Sequence, residues 1–153
     1  MATNAAPIYG KQYIRYAETW EAPTNDQAGV VGVVEIGELR AVSYATWAGP
    51  NYAAPGIYFT VQPTNICGVN QAYMPTALAQ PYTARQLTVA TSGLLLIEVA
   101  PASAAISLNT PLQVNNLGQA VAAGTPVTLD GTQPLIREAV NIGGRKLVLV
   151  SFA

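Results

Sequence analysis

Thirteen glycines and eleven prolines divide this chain of 153 residues so often that few windows reach the ten or more residues a helix usually needs. Proline removes a backbone donor and fixes φ, and glycine favours turns, so both punctuate regular structure. Between them lie short segments rich in Val, Ile, Leu, Thr and Tyr, spaced as in sandwiches and barrels. The chain therefore reads as all-β, a small β-sandwich or barrel, long enough to bury its own core.

The run from Gly29 through Ile36 reads as a strand, Gly37-Glu38 as a turn, and Leu39 to Thr46 as the hairpin partner. Gly56 to Val61 reads as a further strand, with Tyr58 and Thr60 on one face and Ile57, Phe59 and Val61 on the other. Leu87–Ala90 and Leu94–Ala100 read as two strands separated by Thr91-Ser92-Gly93, and the second, apolar on both faces, is expected at the centre of a sheet. Asn109-Thr-Pro-Leu-Gln-Val-Asn115 is echoed fifteen residues later by Gly124-Thr-Pro-Val-Thr-Leu-Asp130, each a turn, a short strand and a turn. Gln119–Ala123 reads as a small-residue strand between them. The last strand, Lys146–Phe152, places Leu147 and Leu149 on one face and Val148, Val150 and Phe152 on the other.

Residues 1–27 differ in character from the β-domain expected over 28–153. Tyr9, Tyr13, Tyr16 and Trp20 recur at spacings of three and four between Pro7 and Pro23. That spacing fits one face of a short helix. It fits equally an extended aromatic arm that plugs into a neighbour, or aromatics covering the domain's own core.

Charge is sparse: 10% of residues are charged, against the usual quarter, which fits a surface that largely faces another protein and also a compact protein that relies on Thr, Ser, Asn and Gln for solubility. Net charge is −1 and the seven basic residues are scattered, with no stripe to track phosphates, so no nucleic-acid partner is expected. The Arg145-Lys146 pair follows Gly143-Gly144 and reads as a turn flank. The longest apolar run, Leu94–Ile97, is too short to span a membrane, and the first residues lack the basic-then-apolar pattern of a secretory signal. Cys67 stands alone, fits synthesis in a reducing compartment and reads as an inert, small core residue.

The chain contains no histidine, which removes the commonest general base and metal ligand and the Ser/His and Cys/His pairs. The close carboxylates Glu18/Glu21 and Glu35/Glu38 are read as the solvent face of an N-terminal helix and as hairpin-turn flanks. Asn25-Asp26 and Asn115-Asn116 supply too few carboxylates for a calcium loop, and Gly29-Val-Val-Gly32 lacks the Lys and Ser/Thr of a phosphate cradle. No catalytic residue, cofactor or metal is expected.

Over residues 93–153 the chain resembles the head decoration, or structural cement, proteins of tailed phages. The likeness lies in Leu94–Ala100 followed by Asn109–Ala123, which resembles a strand and then a turn-strand hairpin of the form Gly/Asn-x-Pro-Val-x-Val-x-x-x-Gly-x-Ala. It extends to Ala139–Ala153, similar to their closing strand, and to Asn65–Val69. The resemblance implies a small β-barrel or jelly-roll-like domain, a virion protein made in the bacterial host cytoplasm and bound to the major capsid protein on the outside of the capsid as a dimer or trimer. The residues expected at its interface are Tyr9, Tyr13, Arg15, Tyr16 and Trp20, with Trp47 and Tyr52. The alternative is a carbohydrate- or receptor-binding β-module of a virion, with Trp47, Tyr52 and Tyr58 as a stacking platform around Gly49-Pro50-Asn51.

Overall fold

In the computed structural model, the two strands expected on either side of Thr91-Ser92-Gly93 are one continuous strand, Arg85–Glu98. The structure describes residues 11–22, 38–46, 55–58, 66–71, 85–129 and 131–152; for 19–22, 43–46, 55–58 and 85–87 it describes the backbone alone. In chain order the strands are β1 (Tyr13–Ala22), β2 (Ala41–Thr46), β3 (Pro55–Tyr58), β4 (Ile66–Asn70), β5 (Arg85–Glu98), β6 (Gln113–Val114), β7 (Thr125–Pro126), β8 (Leu135–Ile142) and β9 (Arg145–Phe152).

The fold is all-β, an antiparallel sheet curled into a half-barrel. Its order is β3-β2-β4-β5-β9-β8, with β1 also paired to β5, while β6 and β7 form a small separate ladder. β5 holds the sheet together: β1 pairs with it from Arg85 to Leu94, β4 at Val89 and Ala90, and β9 from Gly93 to Glu98. The expected central position of the Leu94–Ala100 segment is thus observed. Leu95, Leu96 and Ile97 are consecutive and fully buried, so both faces of β5 are covered.

Each face carries its own apolar cluster. On the first, Leu95, Ile97, Val148, Val150 and Phe152 pack against Leu112, Val114, Ala120 and Val127. On the second, Leu96, Leu147 and Leu149 pack with Leu39 and Val140. The division of β9 between the two clusters is the alternation expected from its sequence. The β8–β9 hairpin closes on Gly143-Gly144, whose φ values of 60° and 80° suit the tight two-residue turn that matches strand twist. The echoed segments pair with each other through Gln113↔Pro126 and Val114↔Thr125.

Several expected elements differ. β2 starts at Ala41 because Leu39 lies in a turn with φ 58°, its amide donating to the Asn70 carbonyl (2.7 Å) and its carbonyl accepting from the Glu98 amide (2.7 Å). Left-handed backbone costs a branched residue roughly 1–2 kcal/mol, and complete burial of the Leu39 side chain offsets it. The expected partner over 29–36 lies outside the described residues, as do 59–61 of the strand expected to run from Gly56. Residues 119–123 form no strand; Ala120 alone bridges to Val99 and Val114.

Burial on both faces makes a testable distinction. Leu95→Ala and Leu96→Ala are each expected to cost about 2–5 kcal/mol in urea denaturation. A change within about 0.5 kcal/mol for either, the usual surface value, would place that side chain at the surface.

Candidate interaction surface

β1 is built from residues that favour strands, Tyr-Ile-Arg-Tyr-Ala-Glu-Thr-Trp, and the ladder along β5 supplies its hydrogen bonds. The short helix expected as one alternative for this segment is therefore corrected: the three-and-four spacing of Tyr13, Tyr16 and Trp20 is carried on an extended strand. Glu18 and Glu21 lie on that strand too, not on a helix face.

Two irregularities shape its first half. Ile14 pairs with Gly93 and Tyr16 with Ser92, leaving Arg15 as an extra residue; Tyr16 pairs with Ser92 and Ala17 with Ala90, leaving Thr91 as an extra one opposite. The bulges bend the strand and locally disrupt the ladder. Along the same stretch Tyr13, Ile14, Arg15, Tyr16 and Ala17 are all exposed, without the usual alternate burial. Tyr13 is 63% exposed, Ile14 41% and Tyr16 57%, so three of the five large exposed hydrophobics among the described residues fall within four positions. The other two, Leu108 and Leu117, lie on separate loops.

This strip is firmly anchored. Gly93 has φ 121°, and a β-carbon there would run into the Tyr13 carbonyl, so only glycine lets β1 lie this close to β5. Just before the strand, Gln12 accepts a hydrogen bond from the Leu96 amide (2.9 Å) and donates to Gln71 Oε1 (2.8 Å). Gln71 in turn donates to the Val69 carbonyl (3.3 Å), tying β1, β5 and β4 together. The Lys11–Glu138 pair at 3.5 Å is half exposed on both sides and contributes little.

Of the residues expected at an interface, the structure brings Tyr13, Arg15 and Tyr16 into one exposed strip. Trp20 lies further along the same strand opposite Leu87, its side chain not described. Tyr9, Trp47 and Tyr52 lie outside the described residues, and of Tyr58 only the backbone in β3 is described.

A second polar constellation was not apparent in the sequence. The Glu98 carboxylate accepts from Arg40 Nε (2.9 Å) and Gln119 Nε2 (3.0 Å) at Oε2, and Arg145 Nε lies 3.6 Å from Oε1. Arg145 is also paired with the Glu38 carboxylate and donates to the Glu38 carbonyl (3.2 Å). Asn115 holds the adjoining loop, its Oδ1 accepting from the Leu117 and Gln119 amides (2.9 and 3.0 Å). Beside this loop a shallow groove of about 390 Å³ is lined by Val114, Asn115, Asn116, Leu117, Gly124 and Thr125. The available signal was Glu98 itself, a lone charge inside an apolar run.

Cys67, in β4, is half-buried and its thiol donates to the Val42 carbonyl (3.5 Å). Burial pushes the thiol up to about 12, a backbone hydrogen bond pulls it partly back, and the Glu18 charge raises it further. The thiolate is the reactive form, so the folded chain holds this cysteine inert.

A scan against protein-family models, a search of curated proteins and a search of solved structures each found no match to this chain.

At pH 8 a thiol-disulfide reagent is expected to label native Cys67 about a thousandfold more slowly than the urea-unfolded chain, following the thiolate fractions. Equal rates would contradict the burial. Because this acid's folded value is raised, its contribution to stability is complete below the unfolded value of 9.0 and is lost as pH rises from there toward about 12.

Proposed function

We propose that this protein is a non-enzymatic structural protein that binds other protein surfaces through the exposed start of β1. The surface it serves is the outside of a tailed-phage capsid, where as a dimer or trimer it stabilises contacts between major capsid protein subunits. The observation that carries the reading is the strip Tyr13-Ile14-Arg15-Tyr16: two tyrosines, an isoleucine and an arginine side by side on an anchored strand.

Tyr and Arg are the residue types that dominate binding energy at protein interfaces, because they offer large contact area with polar ends. A strand fixed by a ladder, a glycine contact and the Gln12 bonds has little order left to lose on docking. Sparse charge over the whole chain supports the same reading. The capsid as the partner is supported by the resemblance over residues 93–153, which spans the end of β5, the echoed segment and the β8–β9 hairpin. A cement protein that binds only the assembled lattice stabilises it by linkage, and several weak contacts act together through multivalency. No chemistry at a catalytic centre is required, and the Glu38 and Glu98 carboxylates are both engaged by arginines.

The test is co-sedimentation with expanded capsids. The double variant Tyr13→Ser/Tyr16→Ser alters exposed side chains only and is expected to keep its circular dichroism spectrum while its capsid affinity falls at least about tenfold. Undiminished binding by the folded variant would overturn the β1 strip as the docking surface, and failure of the unaltered protein to sediment with capsids would overturn the capsid reading.

A further inference from the structure

Glu98 ends β5, directly after the fully buried Leu96 and Ile97. Three segments distant in sequence converge on its carboxylate: the 38–40 turn through Arg40, the 115–119 loop through Gln119 and the start of β9 through Arg145. The backbone repeats the connection. Ala120 donates to the Glu98 carbonyl (2.8 Å), Glu98 donates to the Leu39 carbonyl (2.7 Å) and Ala41 donates to the Gly118 carbonyl (2.8 Å). The side chains of Glu38, Arg40, Glu98 and Arg145 are 22–29% exposed, so their interactions are only partly screened.

We infer that this cluster is an acid-released latch, in which loss of the Glu98 charge frees the 115–120 loop from β5 and from the 38–41 turn while the β5–β9 ladder stays closed. Among the described residues, Arg40 from the turn and Arg145 from β9 face the Glu98 carboxylate, and Glu38 pairs with Arg145; Lys146 is exposed, and the loop contributes the neutral Gln119, held by Asn115. A proton on Glu98 leaves two arginines around one carboxylate. Without its charge, the Glu98 carboxyl keeps only neutral-acceptor bonds from Arg40 and Gln119, weaker than those to a carboxylate, so its hold on the turn and on the loop weakens together.

The direction in pH follows. Burial raises the carboxyl of Glu98, but hydrogen bonds from Gln119 and Arg40 and the charges of Arg40 and Arg145 outweigh it, and the carboxyl lies below its ordinary value of 4.5. A carboxylate lowered in the fold stabilises it above the unfolded value and loses that contribution as pH falls through the folded one. The latch is therefore closed near neutrality and opens in acid below 4.5.

Amide hydrogen exchange on the full chain tests this independently of the capsid reading. After correction for intrinsic rates, protection at Ala41 and Ala120 is expected to fall severalfold as the pH is lowered from about 6 through 4.5 to about 2. Amides of the β5–β9 ladder keep theirs. Glu98→Gln is expected to show the low protection already at pH 7, with no further loss in acid. Unchanged protection at Ala41 and Ala120 across the pH series would overturn the latch, and so would a Glu98→Gln chain that keeps the original pH response. Should Glu98→Gln fail to fold, the pH series on the unaltered protein decides alone.

Discussion

The structure depends on burying β5 on both faces. A strand covered on one side needs one apolar layer; Leu95, Leu96 and Ile97, all fully buried in succession, require two. The first layer is supplied by the 112–127 segment, which brings Leu112, Val114, Ala120 and Val127 against the sheet. The second is supplied by Leu39 together with the other face of the β8–β9 hairpin. Three neighbours, β1, β4 and β9, share the hydrogen-bonding edges of the same strand. Each other element is positioned by its relation to β5, including the start of β1, whose exposed side chains are held where the Gly93 contact and the Gln12 bonds place them.

The same arrangement explains why the exposed strip and the charge cluster lie where they do. Within β5, at Gly93, the ladder to β1 carries bulges at Arg15 and Thr91, and there the side chains of Tyr13 to Ala17 all reach solvent. At its end, Glu98, the strand leaves its apolar surroundings and its last charge is met by partners from three segments. The interior of β5 thus carries the exposed start of β1, and its last residue knits the chain together through ion pairs.

The parts of the fold that were legible in the sequence are those set by local pattern. The alternation of Leu147 and Leu149 against Val148, Val150 and Phe152, the Gly143-Gly144 turn and the two-faced character of Leu94–Ala100 each follow from side-chain period or turn chemistry. Continuity of β5 through Thr91-Ser92-Gly93 was not legible, because Ser and Gly read as a turn unless a bulged partner strand lies alongside. Nor was β1 decided: aromatic spacing of three and four fits a helix, and only the ladder to β5, some seventy residues away in sequence, makes it a strand. Leu39 in a left-handed turn is likewise a tertiary outcome, since burial and bonds to Asn70 and Glu98 outweigh a local preference. Of the candidate site, the residue types Tyr13, Arg15 and Tyr16 were legible; their joint exposure was not, because strand alternation alone would turn part of the segment inward.

The claim at the centre of this account is that the start of β1 is the surface by which the protein docks. Hydroxyl-radical footprinting of the full chain, free and bound to expanded capsids, tests it most directly. The account predicts that Tyr13, Ile14 and Tyr16 become protected on the capsid while Leu108 and Leu117 stay equally modified in both states. Capsid-bound protein with Tyr13 and Tyr16 modified as readily as in the free chain would contradict it.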